Sequence, residues 1–318
     1  MRLFKSSLSY AKPGLPADCR ILPADIDFWV PGFEQSTRSR TLALRERNCA
    51  EWFDAFVDKL LEATGKRYLP VCRMSDGEFR FCLGDQPVSK RWPWHDRMRI
   101  SVGQNLRKIR DRRGFRAATT SGVSSGQYSA TEWKQMRKCY TDLVRILSEK
   151  GILALHLSYG DMPFQEHFFP ALGKWLKDNG IGLSEENYVP FYFVYGAFMG
   201  LRRSELLRGK KILLVNSANQ SKQKRIETSL KEEGIDRVFW CPVSASRSFF
   251  DKLEVQQFIG EVDLVLVGAG VGKPNVLVQL EPLCVPCVDV GFLFEVWANP
   301  QNKFLRACCV TDAESNKY

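Results

Sequence analysis

The second half of the chain alternates short apolar runs with helical stripes, and this alternation constrains the fold more than any other feature. Residues 211–215 read as a strand, followed by a helix that turns Ile226 and Leu230 inward. A strand at 238–243 leads to a helix opened by Ser246 or Ser248. A strand at 263–267, a helix near 275–280 and a strand at 285–290 complete the series. Strands joined through helices pair in parallel, because the crossover helix returns the chain to the starting edge of the sheet. The expected fold class is therefore α/β, Rossmann-like, with a mostly parallel sheet, helices on both faces and right-handed crossovers.

The first half carries the same signals less regularly. Trp52, Phe53, Phe56, Val57, Leu60 and Leu61 recur at helical spacing, and Gly65 stands where such a helix stops. A buried strand is expected at 68–72 and another at 152–157. Met98, Val102, Leu106 and Ile109 stripe one helix with a basic opposite face. Trp133, Met136, Tyr140, Leu143 and Leu147 stripe a longer one ended by Gly151. Residues 1–43 show little periodicity and read as an irregular arm. Residues 44–300 form the α/β domain, and 301–318 read as a polar tail. The run 191–198 is apolar enough for either core or interface.

Composition narrows the partners. The net charge is +10. Residues 90–116 hold ten Lys/Arg against Asp96 and Asp111, a net of +8. Such a cluster expects an anionic partner, either a phosphate-bearing molecule, nucleic acid or an acidic membrane surface. It also reads as the solvated face of an amphipathic helix. The apolar windows at 152–157 and 263–271 fall far short of the ~20 residues a bilayer span needs, and the N-terminus does not read as a signal peptide. A cytoplasmic location is expected.

Three strand ends carry candidate chemistry. After the 68–72 strand comes Arg73-Met74-Ser75-Asp76-Gly77-Glu78. In an extended segment, Asp76 and Glu78 point to one side and could share a hard cation, with Gly77 letting backbone approach a ligand. Arg73 could reach the same phosphates with its planar fork. The competing reading is a plain Asp-Gly turn. After the 263–267 strand comes Gly268-Ala269-Gly270-Val271-Gly272-Lys273-Pro274. It is neither a Walker A loop nor a full dinucleotide fingerprint. It reads either as a backbone cradle for an anion or as a tight strand-to-helix turn with Pro274 at a first helical position. At the end of the 285–290 strand, Asp289-Val290-Gly291, followed by Glu295, reads as hydroxyl-binding or basic, or as a helix cap.

Other chemistries find little support. Among the three histidines, His156 and His167 read as core or helix-face residues, and no His-x-x-x-His spacing occurs. No Gly-x-Ser-x-Gly elbow appears. The ten cysteines include one Cys-x-x-Cys, at Cys284 and Cys287, without a second pair at zinc-ribbon spacing, so reduced and mostly buried thiols are expected.

The chain resembles bacterial glycosyltransferases of the GT-D fold, which act in glycoprotein-glycan and surface-polysaccharide synthesis. The resemblance rests on the Arg73 to Glu78 motif after the first strand, then 212–215, Cys241-Pro242, 264–270, Asp289-Val290-Gly291 and Trp297. It spans roughly residues 45–298 in order and spacing. Phe292 stands where the family usually has His, and Ser75 where it usually has Gly. The resemblance implies a GT-D-like fold and a metal-dependent transfer from a nucleotide-sugar, UDP-linked favoured, to a glycan or lipid-diphosphate acceptor. It implies Asp76 and Glu78 at Mn²⁺ or Mg²⁺ and the diphosphate, assisted by Arg73. Gly268, Gly270 and Gly291 would line the donor, and Asp289 or Glu295 would serve as base. The basic helix would meet a lipid-diphosphate or the inner membrane face. Two alternatives stand beside it, a basic nucleic-acid-binding α/β protein and a non-catalytic nucleotide-binding member of the family.

Overall fold

A computed structural model describes residues 20–23, 40–44, 49–83, 94–110, 130–155, 158–159, 172 and 175–305. Two short strands, β1 (Arg20–Pro23) and β2 (Arg40–Ala43), pair antiparallel. β2 also pairs with β5 (Ser158–Tyr159) to make a small three-stranded sheet. The expected irregular arm thus supplies two strands. The 3₁₀ helix Pro300–Leu305 runs from the end of the expected domain into the expected tail.

Among the described residues the main sheet has seven strands, all parallel, in keeping with the mostly parallel sheet that the alternating pattern predicted. They are β3 (Leu69–Met74), β4 (Ile152–Leu155), β6 (Tyr188–Pro190), β7 (Lys211–Asn216), β8 (Arg237–Pro242), β9 (Leu264–Gly268) and β10 (Pro286–Asp289). Their order across the sheet is β6-β4-β3-β10-β9-β7-β8. Every residue of β3, β4 and β10 is buried, which is why those segments read as continuous apolar runs rather than alternating ones. Edge strand β8 is the least buried.

Helices complete both layers. They are α1 (Cys49–Ala63), α2 (Asp76–Leu83), α3 (Trp94–Arg110), α4 (Ala130–Lys150), α5 (Phe191–Met199), α6 (Arg203–Leu207), α7 (Gln220–Glu232), α8 (Lys273–Gln279) and α9 (Leu293–Ala298). α4 buries Trp133, Met136, Tyr140, Val144 and Leu147, one face at helical spacing. α5 answers the question left at 191–198, because Phe191, Phe193, Val194, Tyr195 and Phe198 all lie in the core. α4 carries the chain from β3 to β4 and packs on α8, which carries it from β9 to β10. Both crossovers step the same way along the sheet, so crossovers of one hand place both helices on one face. α7 steps the opposite way, from β7 to β8, and packs on α9.

One expected helix is absent. The segment after β8 forms only the 3₁₀ turns Ser248–Phe250 and Gln256–Phe258. Ser244 Oγ donates to Asp251 Oδ1 at 2.7 Å and Ser248 Oγ donates to the Ala269 carbonyl at 2.7 Å. These short side-chain bonds compete with a helical ladder and hold the segment as a loop. His156 and His167 lie outside the described residues, as do residues 306–318 of the tail. Among the described residues no helix is long and apolar enough to cross a membrane.

The strand order places β3 directly beside β10. From β3 the chain proceeds to β4 on one side. From β10 it enters α9, which packs with α7 on the other. Adjacent strands whose chains leave in opposite directions open a crevice at their carboxyl ends, the usual ligand position in an open α/β sheet.

Candidate functional site

At the end of β3 the chain turns straight into α2. Phe79 N donates to the Ser75 carbonyl at 2.9 Å, and Ser75 N donates to Glu78 Oε2 at 3.0 Å. A Glu at the third helical position reaching back to a Ser at the N-cap is one half of a capping box. Ser75 is thus the cap residue. This overturns the extended geometry expected for Asp76 and Glu78. They lie two apart on a helix, and side chains at that separation do not face each other. Gly77 is half-buried in the first turn. The side chain of Asp76 lies outside the described residues.

Four charged side chains meet at the β3–β10 junction. Arg73 Nε donates to the Asp289 carbonyl at 2.5 Å, and its Nη2 lies 3.4 Å from Asp289 Oδ1. Lys273 Nζ sits 3.1 Å from Asp289 Oδ2 and 2.6 Å from Glu78 Oε1. The charges alternate along this chain, with two cations and two carboxylates. Arg73, Lys273 and Asp289 are 3%, 4% and 1% exposed, so water screens these contacts little. The Arg73 guanidinium also lies 4.9 Å from the Phe191 ring centroid and 4.6 Å from that of Tyr195, both presented by α5. Its buried Nη1 makes no hydrogen bond among the described residues.

Burial opposes charge on both cations, yet both end above their ordinary values. For Arg73, Asp289 and Tyr195 outweigh burial, and for Lys273, Asp289 and Glu78 do so. Cys72, one residue before Arg73, has no such partner close enough to prevail, and burial pushes its thiol up to about 12.

Of the residues expected at the site, Arg73, Glu78, Asp289 and Gly291 are brought together. Gly291 lies against the guanidinium, with a φ of +44°. Gly268 faces protein instead of a ligand, since a Cβ there would lie 2.5 Å from the Phe294 ring and 2.6 Å from Asn216 Nδ2. Gly270 sits at an exposed turn. Glu295 lies on α9, half exposed, and its carboxylate faces Lys222 of α7 at 2.5 Å. Two buried polar residues escaped the sequence reading, of which the first belongs to the cluster. Lys273 was visible only as the lysine after a glycine-rich loop, where a solvated residue is the ordinary expectation. Asn216, at the end of β7, donates to the Gly268 carbonyl at 2.8 Å, and nothing in its neighbourhood in sequence marks it out.

A divalent metal held here would need free carboxylate oxygens. Both Glu78 oxygens are engaged, one by Lys273 and one by the Ser75 amide, and Asp289 faces two cations. Among the described residues no group of three His, Cys, Asp or Glu side chains could hold a metal ion. Glu78 and Asp289 are thus already paired within the described residues, while the side chain of Asp76, the other expected ligand, lies outside them.

A cleft of about 420 Å³ opens at the other end of the sheet, between the start of β3 and the segment before β6. Lys59 on its wall is tied to Glu186 at 2.7 Å, so its polar groups are partly spent on one another. Comparison with protein-family models, with curated proteins and with solved structures finds no match.

Proposed function

We propose that the chain transfers a sugar from a nucleotide-sugar donor, UDP-linked favoured, to a glycan or lipid-linked acceptor. The donor diphosphate would sit at the carboxyl ends of β3 and β10. One observation carries this reading. Two buried cations from separate segments, Arg73 and Lys273, converge on Asp289 at the switch point of a parallel sheet. Such positions bind anionic ligands, and fixed cations in a poorly screened site stabilise the charge that develops on a leaving diphosphate.

In this reading Arg73 keeps Nε on the Asp289 carbonyl and offers the unpartnered Nη1 to a phosphate oxygen. Lys273 offers Nζ by exchanging Glu78 for a second phosphate oxygen. Asp289 anchors both cations. The bond from the anomeric carbon to the phosphate oxygen breaks with its electron pair on the phosphate. The acceptor hydroxyl oxygen bonds to that carbon and releases its proton to solvent water. Asp289 and Glu295, the two base candidates, each already face a cation, so neither is assigned that role. Any divalent cation would rely on Asp76.

A thermal-stability titration with nucleoside diphosphates and nucleotide-sugars, run with and without Mn²⁺, tests this together with an assay of donor consumption. Binding raises the melting temperature by mass action. The expected result is a rise with one donor class, lost in Arg73→Lys, and consumption of that donor in the presence of acceptor. A rise without consumption would leave a non-catalytic nucleotide-binding protein. No rise with any donor, together with salt-sensitive RNA or DNA binding, would replace the proposal with nucleic-acid binding. A rise that requires Mn²⁺ and disappears in Asp76→Ala would restore the metal to the mechanism.

A further inference from the structure

The helix α3 carries an apolar stripe that is open to solvent. Trp94, Met98, Val102 and Leu106 are 67%, 58%, 49% and 61% exposed. They recur every four residues, so at ~100° per residue they cover an arc of ~120° along one face. The backbone position of Ile109 falls inside the same arc, as do His95 and the position of Asn105, so the stripe is apolar at five of seven positions. Both borders of the arc are basic. Arg97 and the position of Lys108 flank it on one side, and Arg99 and the position of Arg110 flank it on the other. The helix holds five Lys/Arg against Asp96 alone, and it lies within the most basic stretch of the chain.

This pattern does not suit the bland alternatives. A core-facing stripe would be buried, and a merely solvated helix would be polar all round. A protein partner could cover the apolar strip, but it would need an acidic rim on both sides of it. An anionic bilayer surface supplies both requirements at once. Its acyl boundary accepts the apolar side chains, and its headgroup phosphates accept the flanking Arg and Lys. Trp94, at the start of the stripe, is a residue type suited to the boundary between the two.

We infer that α3 (Trp94–Arg110) docks the protein on an anionic lipid surface, lying flat in the headgroup region with Trp94, Met98, Val102 and Leu106 inward. This goes beyond the transfer reaction and does not depend on it.

Vesicle flotation of the full chain tests the inference, using vesicles of phosphatidylcholine alone and mixed with phosphatidylglycerol. The protein is expected to float with the mixed vesicles and not with the neutral ones. Affinity should fall about tenfold or more in the double variant Met98→Ser/Leu106→Ser and again in Arg97→Glu/Arg99→Glu. Lys177→Glu, an exposed basic residue elsewhere, should bind as the parent does. Met98→Ser/Leu106→Ser and Lys177→Glu should keep the parent melting temperature, since their side chains are exposed. Nucleotide binding should also survive in all three, so failure here is distinguishable from failure of the transfer proposal. Absence of binding to anionic vesicles would overturn the inference. So would binding that survives Met98→Ser/Leu106→Ser, which would be simple charge adsorption. A dimer in solution that these same substitutions dissociate, without vesicle binding, would assign the stripe to a second copy and overturn it as well.

Discussion

A Cβ on Gly291 would lie 2.0 Å from Nη2 of Arg73, so the space a side chain would need is already filled by the guanidinium. Gly291 also holds a φ of +44°, a conformation that residues with a Cβ rarely adopt. The two requirements meet at one position, and they account for the glycine of Asp289-Val290-Gly291. Gly291→Ala should therefore destabilise the protein by about 2–4 kcal/mol, combining backbone strain with overpacking. The urea midpoint measures it. A loss below about 0.5 kcal/mol would mean that Arg73 moves aside freely.

Asp289→Ala removes the anion shared by Arg73 and Lys273. Two buried cations would then face each other without it, and breaking a buried pair in this way costs about 3–5 kcal/mol. Adding Lys273→Met to Asp289→Ala should recover part of the loss, because it removes one uncompensated charge. A strictly additive double variant would show that the two residues are not coupled.

The cluster also predicts a response to alkali. Lys273 ends above the ordinary lysine value in the folded protein, despite burial, because Asp289 and Glu78 hold its ammonium form. A raised folded pKa contributes stability that is complete below the ordinary lysine range and is lost as pH rises through and above it. Unfolding free energy should therefore fall above about pH 10, and less steeply in Lys273→Met. Equal slopes in the two proteins would place the alkaline loss elsewhere. The Cys72 thiol adds a loss of the same sign between its ordinary value of 9.0 and about 12.

Glu295 provides a contrast with Asp289. Its pair with Lys222 is half exposed on the carboxylate side, and such pairs contribute little. Glu295→Gln should change stability by no more than about 0.5 kcal/mol. Under the proposed transfer reaction it should also keep donor turnover. A turnover loss of about a hundredfold would return Glu295 to the role of base.

Thiol labelling reads the packing directly. Cys139 and Cys284 are exposed, while Cys72 and Cys287 are buried. With a maleimide at neutral pH, mass spectrometry should find the first two modified in the folded protein. The second two should react only in denaturant, because burial raises both thiols and closes access. Early labelling of Cys287 would mean that β10 opens locally.

The sequence alone determined the parallel α/β class, the strands β3, β4 and β7 to β10 within a residue or two at most ends, and the stripes of α1 and α4. Those features are written in local periodicity, and strands buried on both faces announce themselves as unbroken apolar runs. It also marked Arg73, Asp289 and Gly291 as residues standing at strand ends. Only the tertiary structure decided what those ends face. Arg73 and Asp289 are 216 residues apart and meet because β10 inserts beside β3, a pairing set by the summed packing of the whole sheet and by no local pattern. The same insertion brings Lys273 to both carboxylates and turns an ordinary loop lysine into a buried cation. At Glu78 two local rules competed for one segment. The strand did not continue through Asp76-Gly77-Glu78, because Ser75 and Glu78 could cap a helix there, and a capped helix satisfies backbone N–H groups that an extended segment at that edge would leave to solvent or ligand.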